Sequence, residues 1–599
     1  MRKIQFWYLV PLFVLLVLVS CSQKKPPVTV IQYTDPSYIT GIVKWDDSLY
    51  CATRGGLVWW DIDSRHYTVI TTAEGLISNV LTDIVVDGRN ILWVSSHEGM
   101  ASFDGVTWRY YGEAQGLPSS YVTDLTVDLD GNVWAATRDG VVWWDGRRFN
   151  VFTEEGGPGQ KPITAIFFDK GGNIWITAED DGIYYKIEGE WQYLSGKTGH
   201  VAQSWDMNIW VYDGMEISYW TGLTFVGYPM YNYIPAVNAR YIDATDTRIW
   251  YFTDGGVHST IGNRDWLNFD ESNGLVSNDV TSGLVVSNDE IYVGTSSGLS
   301  VIRNGEIENY VIPNTPIGYN FISINFDSQD RLWLGTWENG VNIWEDGIWS
   351  AMSGNGFITD GLQTVRSFVF GSSGEVVFNT ITGILFSSDD GWRLETRADG
   401  VSGDDVRCGV FDREGRYWVG TSGGICYREG QRWTRFREIH GLPSEDVWAC
   451  ALDGEGTVWF GTTGGIVSFT NRELRDRSAD TGLDSLDVRA VYADGNTVYF
   501  GTTDGSLIVY NGESWNVFDG STLRTTGAIY AITGEPSGAV WLGTDGNGVI
   551  RFEHGEVEQY TIDDGIPYDV VRSLAYHDGI LWMACYGGIA SLERGEASQ

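Results

Sequence analysis

Four arginines and two aromatics share one recurring slot in the second half of the chain. Counting one residue past the apolar residue that opens each of seven repeated strands gives Ile322, Arg366, Arg407, Trp448, Arg489, Tyr530 and Arg572. Guanidinium forks hold carboxylate or sulfate in bidentate fashion, and aromatic rings offer flat faces to sugar rings. The slot therefore predicts a mouth that binds an acidic oligosaccharide. Salt bridging between neighbouring repeats is the competing use, because Asp405, Asp446 and Asp487 stand just ahead of three of these strands. In the first half the same slot reads Thr40, Leu81, Thr123, Thr164 and Thr281, with two repeats too divergent to align.

Three aromatic features add to the candidate site. Trp337 stands in the turn Gly335-Thr336-Trp337-Glu338-Asn339, where other repeats carry Ser, Thr, Gly or Asp, so it is expected to be exposed. Trp220, Tyr228 and Tyr231 fall with Phe225 and Tyr233 in an irregular stretch, where extra bulk either repacks a degraded repeat or stacks on a sugar. Asp128-Leu129-Asp130-Gly131-Asn132 resembles part of a calcium loop but lacks the later Glu and occupies a hairpin present in every repeat. Ser387 to Trp392 is similar to the Asp-box of sialidases, with its Trp two residues early. The seven His residues show no metal-ligand spacing, so no cofactor is expected, calcium being the one metal considered. With 79 Asp and Glu residues, some pair always mimics a glycosidase acid and base, so no catalytic residue is assigned.

These positions must be held by the repeat that carries them. Tyr50, Trp93, Trp134, Trp175, Trp210, Trp250, Tyr292, Trp333, Trp418, Trp459, Tyr499, Trp541 and Trp582 recur about every 41 residues, with Val377 filling the gap after Trp333. One unit reads as a strand at 417–421, a tight turn, a strand at 424–427, a hairpin, a strand at 433–436, a long Gly-Leu-Pro-Ser connection and a last strand at 446–453. Four short strands between Gly-rich turns make a propeller blade. The fold class is all-β: two consecutive seven-bladed propellers with four-stranded antiparallel blades. The boundaries follow as residues 29–311 and 312–599, joined near Ile312-Pro313-Asn314-Thr315-Pro316. Each ring is expected to close by pairing strands from its own two ends, which removes exposed edges.

The N-terminus is a processing signal. Arg2 and Lys3 precede an apolar run from Phe6 to Val19, and Leu18-Val19-Ser20-Cys21 resembles the lipobox of bacterial lipoproteins. Residues 1–21 are then a signal peptide ending at a lipidated Cys21, and residues 22–28 a short tether. Ser22 favours the outer membrane, with the body facing the periplasm. No second apolar span follows. The formal net charge of −40 argues against nucleic acid, whose phosphates need a basic face. The remaining cysteines, Cys51, Cys408, Cys426, Cys450 and Cys585, sit in strand slots that suit small buried thiols, and a disulfide between two of them is left open.

Val458 to Ile466, Gly441-Leu442-Pro443-Ser444, Asp405-Val406-Arg407 and Asp128 to Trp134 resemble the two-component-regulator propeller repeats of bacterial envelope sensors. The resemblance covers nearly everything after the tether. It implies twin seven-bladed periplasmic sensor propellers that detect oligosaccharides; the β-sandwich, transmembrane helix and kinase of such sensors are not seen in this sequence. The leading expectation is a lipid-anchored, non-catalytic envelope protein that binds a glycan or a partner protein. A polysaccharide-degrading or lyase-type propeller enzyme and an envelope assembly scaffold are the alternatives.

Overall fold

The computed structural model describes residues 25–595 apart from positions 47, 188, 197–198, 204–207, 213–216, 222–224, 229–238, 246, 262–263, 353–363, 373, 389–390 and 484–485. It contains fourteen four-stranded antiparallel sheets. Seven of them run in order from Ile39 to Tyr310, and the innermost strand of the first, Ile39–Trp45, lies beside that of the seventh, Val280–Ser287. The other seven begin at Phe321, and their first inner strand, Phe321–Phe326, neighbours the last, Val571–His577. The chain is therefore two closed seven-bladed rings.

The repeat's small residues explain why each unit turns where it does. In the unit at 417–436, the Thr421 hydroxyl donates to the Gly424 carbonyl and accepts from the Gly423 amide, tying the turn between the second and third strands. Gly424 holds φ +108°, a conformation in which a Cβ would come within 2.4 Å of the Phe436 carbonyl oxygen. Thr53, Thr137, Thr253, Thr295, Thr380 and Thr462 make the same bond. In the connecting loop Leu442 is buried, as are Leu76, Leu117 and Leu275 at equivalent loops, so this leucine plugs the seam between blades.

The opening tryptophans are core. Trp93, Trp175, Trp250, Trp418 and Trp541 are fully buried, and most of these indoles donate to one carboxylate six residues upstream. Asp412 accepts from the Glu414 and Arg416 amides through Oδ1 and from Trp418 Nε1 at 2.6 Å through Oδ2. Asp87, Asp169, Asp327, Asp453 and Glu535 serve Trp93, Trp175, Trp333, Trp459 and Trp541 in the same way. Asp128 does too: its carboxylate takes the Asp130 and Asn132 amides, the Asn132 side chain and Trp134 Nε1. The calcium-like motif is thus a hairpin that satisfies an indole. Among the described residues no group of three or more His, Cys, Asp or Glu side chains is placed to hold a metal ion.

Closure departs from expectation. The first strand, Val28–Tyr33, does not join the ring that follows it; it pairs antiparallel with Gly588–Arg594, from Val28 opposite Arg594 to Tyr33 opposite Ile589. The last blade takes three strands from residues 571–594, and the N-terminal strand fills its outer slot. The first ring has seven complete blades by Tyr310 and needs no end strand. It closes through side chains instead: the Thr281 and Ser282 hydroxyls donate to the Ile39 carbonyl, Lys44 pairs with Glu290, and Tyr310 packs on Trp60. The expected boundary that gave residues 29–311 to one ring is corrected accordingly. A period repeated identically in both rings carries no information about which ring an end strand joins.

The chain consequently crosses between rings twice, at 34–38 and at 311–320. Asp35, buried on the first crossing, accepts from the Gly318 amide of the second at 2.6 Å and from Ser37. Burial pushes its carboxyl above the usual range. Beside it Arg54 lies over both Tyr38 and Tyr319, at 3.8 and 4.7 Å, so a first-ring guanidinium is held by an aromatic from each crossing.

Candidate functional site

The structure puts six of the second-ring slot residues at the same end of neighbouring inner strands, each second in its strand: Arg366 in Val365–Phe370, Arg407 in Val406–Phe411, Trp448 in Val447–Leu452, Arg489 in Val488–Asp494, Tyr530 in Ile529–Gly534 and Arg572 in Val571–His577. They divide into two arcs with different chemistry.

The arc from the second to the fifth blade is a closed ladder. Arg366 bonds the Asp405 carboxylate through Nε at 3.2 Å. Asp405 also accepts Arg407 Nε at 3.0 Å, and Arg407 Nη1 reaches on to Asp446 at 2.5 Å. Asp446 takes Trp448 Nε1 at 3.1 Å, and Arg489 bonds Asp487 at 2.8 Å. The Trp448 ring has the Arg407 guanidinium carbon 3.6 Å and the Arg489 carbon 4.0 Å from its centroid. Two guanidiniums that near one centroid would collide on a single face, so both faces of the indole are covered. Three cations are balanced by three aspartates here, and the salt bridges between blades that the sequence left open are formed.

The arc from the sixth blade round to the second keeps free capacity. Tyr530 donates to Asp545 at 3.0 Å, and Arg572 lies 4.6 Å from the Tyr530 ring centre with its guanidinium exposed. Trp337 is 38% exposed, as its place in a turn predicts, with Arg366 over it at 4.8 Å. Its backbone is fixed: the Trp337 amide donates to the Asn320 carbonyl, and the Thr364 hydroxyl donates to the Trp337 carbonyl. Asn320 in turn bridges Tyr586, so this arc abuts the seam where the rings meet.

The irregular stretch contributes less. Trp220 is half-buried and sets its edge against Tyr185 of the preceding blade, at 5.7 Å, in the apolar cluster between the two blades. Tyr228 ends the strand Phe225–Tyr228, and Tyr231 and Tyr233 lie outside the described residues. Cys21 lies outside them as well.

The first ring encloses a channel of about 1220 Å³. Its threonine slot is structural: Thr82 donates to the Val122 carbonyl and Thr123 to that of Ile163, each stapling the next blade. The inner strand runs from Leu81 to Val86 with Leu81 buried, so the slot in that blade is Thr82 and the sequence alignment was one residue early. In one of the two blades that could not be aligned the slot is Arg240, paired with Asp279 at 2.7 Å.

Sequence reasoning missed three carboxylates lining this channel. Asp83 accepts from the Leu125 amide at 2.9 Å, Asp124 from Ile166 at 2.8 Å and Asp243 from Val285 at 3.3 Å, each tying a blade to the next. The Thr-Asp-aliphatic triplets at 82–84 and 123–125 are the signal that would have shown two of them. Burial raises the Asp83 and Asp124 carboxyls, and the negative charge of Asp83 raises Asp124 further. Burial pushes Asp243 from 3.8 up to about 6.

The sign of this shift sets a pH dependence. A carboxyl whose folded value lies above its unfolded one gives stability that is complete below about pH 4 and lost as the pH rises through about 6. Asp243→Asn keeps an oxygen acceptor for Val285 and removes the charge. It is expected to raise first-ring stability at pH 7.5 by on the order of 2 kcal/mol and by nothing measurable at pH 4. Denaturant unfolding at the two pH values reads this; a loss at pH 7.5 would refute it.

The sequence model of the family described as Two component regulator propeller matches residues 441–464. No curated protein matches by sequence. Among solved structures, the chain is similar to PorZ, a surface component of the type-IX secretion system of Porphyromonas gingivalis, at 14% identity and TM-score 0.64, covering 94% of this chain and 87% of that one. It is similar to the GH74 enzyme of Niastella koreensis at 15% identity and TM-score 0.63, covering 95% and 100%. An extracellular domain assigned to a hybrid two-component system of B. thetaiotaomicron matches at 17% identity and TM-score 0.41, covering 95% and 83%. At these identities the likeness to PorZ and to the GH74 enzyme shows a shared fold alone.

Proposed function

We propose that this protein is a non-catalytic binding component of the cell envelope, anchored by a lipid on Cys21 to the outer membrane and facing the periplasm, which captures an acidic oligosaccharide or the acidic face of a protein partner. The observation that carries the reading is the open arc of the second-ring mouth, where Trp337 and Arg572 stand exposed on rigid blades. The closed ladder beside it neutralises Arg366, Arg407 and Arg489, so Arg572 supplies the charge for a carboxylate or sulfate and Trp337 the flat face. That PorZ, a surface component of a secretion system, shares this fold accords with an envelope setting.

Calorimetric titration with a panel of acidic oligosaccharides tests the site. Binding without turnover is expected, with Trp337→Ala and Arg572→Ala each weakening it about 10-fold or more. Wild-type affinity in both variants would remove the site, and release of reducing ends or unsaturated products would replace the reading with an enzyme. Fractionation of a Cys21→Ser variant tests the anchor: the variant should leave the membrane fraction.

A further inference from the structure

The inner strands of the third and fourth blades of the second ring bring two thiols together. The first two blade junctions with carboxylates show how. Asp83 and Asp124 are the third residues of their inner strands, and each reaches the residue 42 positions later, the fourth residue of the next inner strand. Cys408 is the third residue of Val406–Phe411, with the same one-residue bulge after the first pair, and the residue 42 positions on, fourth in Val447–Leu452, is Cys450. Where the first ring places a carboxylate against a backbone amide, this junction places one thiol against another. Burial, and after it the neighbouring Cys408 side chain, holds the Cys450 thiol well above its ordinary range.

Local packing holds the pair in the seam. A Cβ added at Gly420 would come within 2.7 Å of Cys408 Sγ and 2.5 Å of Val447 Cγ1, so the thiol lies between its own blade and the next. Cys408 is buried, and Cys450 is half-buried against the cluster around Trp418, Val447 and Phe460. All five described cysteines are free thiols in the structure, and Cys426 is engaged elsewhere, accepting from the Ser402 amide.

We propose that Cys408 and Cys450 are an oxidation site that closes to a disulfide between neighbouring blades. The oxidant is an extracytoplasmic thiol–disulfide oxidoreductase or a disulfide of the glutathione class, so the physiological part of the proposal rests on the envelope placement argued above. One cysteine, as thiolate, attacks the oxidant's disulfide and releases a thiol; the other then displaces the second sulfur. Two electrons and two protons leave the cysteines, and the oxidant disulfide becomes two thiols. Desolvation holds the Cys450 thiol well above its usual range, which makes the closed native ring a slow substrate and places efficient oxidation during folding, before the seam is packed. The bond would lie one residue from Arg407 and two from Trp448, and so would fix the two strands that carry the centre of the ladder.

The test uses the purified full chain in glutathione buffers of graded potential, with partial denaturant and refolding, followed by alkylation under denaturing conditions and peptide mass mapping. The expected result is a species about 2 Da lighter than the reduced chain before alkylation, with two fewer alkylated thiols after it and a Cys408–Cys450 cross-linked peptide. Cys408→Ala and Cys450→Ala should each abolish that species. Full alkylation of Cys408 and Cys450 at every oxidising potential, or a cross-link to Cys426 instead, would overturn the proposal. Because this measurement is independent of cellular location, a reduced pair in the cell combined with ready closure in the buffer would count against the envelope placement and not against the site.

Discussion

Deleting residues 28–33 should open the second ring while the blades of the first remain paired. The segment is the outer strand of the last blade, six residues in register with the C-terminal strand. Val28 and Val30 pack on the cluster around Val571, Leu581 and Leu592, and Tyr33 sits between Trp349 and Trp582 at 5.7 and 5.6 Å. Three apolar side chains leaving such a site cost on the order of 5 kcal/mol, a large share of the stability of one domain. The strand Gly588–Arg594 would become an exposed edge open to pairing with other chains. Gln32 adds a polar lock, donating to Thr72 of the first ring and to Gly565 of the second, while Asn79 donates to Gln32 and to Gly587. Limited proteolysis with mass mapping, combined with calorimetry, should show early cleavage within residues 321–595 and a lost or lowered second-ring transition. A second-ring midpoint within about 2 °C of the full chain would refute the closure argument.

Arg407→Ala should destabilise the second ring by about 2–4 kcal/mol. The side chain is 11% exposed and joins Asp405 to Asp446 while covering one face of Trp448. Its loss leaves Asp446 with only the Trp448 indole among these bonds and Asp405 with only Arg366. The two carboxylates are 36% and 24% exposed, so water recovers part of the cost, which places the value below that of a fully buried pair. Arg407→Lys should recover only part of the loss, because an ammonium cannot bond two carboxylates and stack on an indole with one planar group. Denaturant unfolding followed by tryptophan fluorescence checks this. A change under about 1 kcal/mol would show that the ladder is weak and return Arg407 to the list of ligand contacts.

The two variants probe what a repeat can and cannot disclose. The hairpin, the tight turn after the opening strand and the buried opening aromatic were legible because each belongs to one unit, whereas the bond from the hairpin carboxylate to the indole six residues on was shown by the structure. The exposure of Trp337 was legible for the same reason, since a turn position keeps its place whatever surrounds the blade. The arginine slot could be aligned, but not its use: Arg366, Arg407 and Arg489 find their aspartates on the same or the next blade, and only side-chain reach across the seam decides between a bridge and a free cation. Leu81 shows the finer limit, because two apolar residues, Val80 and Leu81, precede Thr82, and counting from the first of them puts the slot one residue early. Asp83, Asp124 and Asp243 went unseen as a group, since their common role exists only once the ring has curved each strand against the next.

By itself the sequence determined the all-β class, the number of blades and the core aromatics, because a period near 41 residues is a property of local strands and turns. Tertiary structure alone decided that the N-terminal strand belongs to the second ring, that three of four arginines are neutralised, and that Cys408 meets Cys450. Each of these is a pairing between units of nearly identical sequence, and identical units give no local preference for one partner over another; the choice is made by which edge, seam or slot the closed rings leave unfilled.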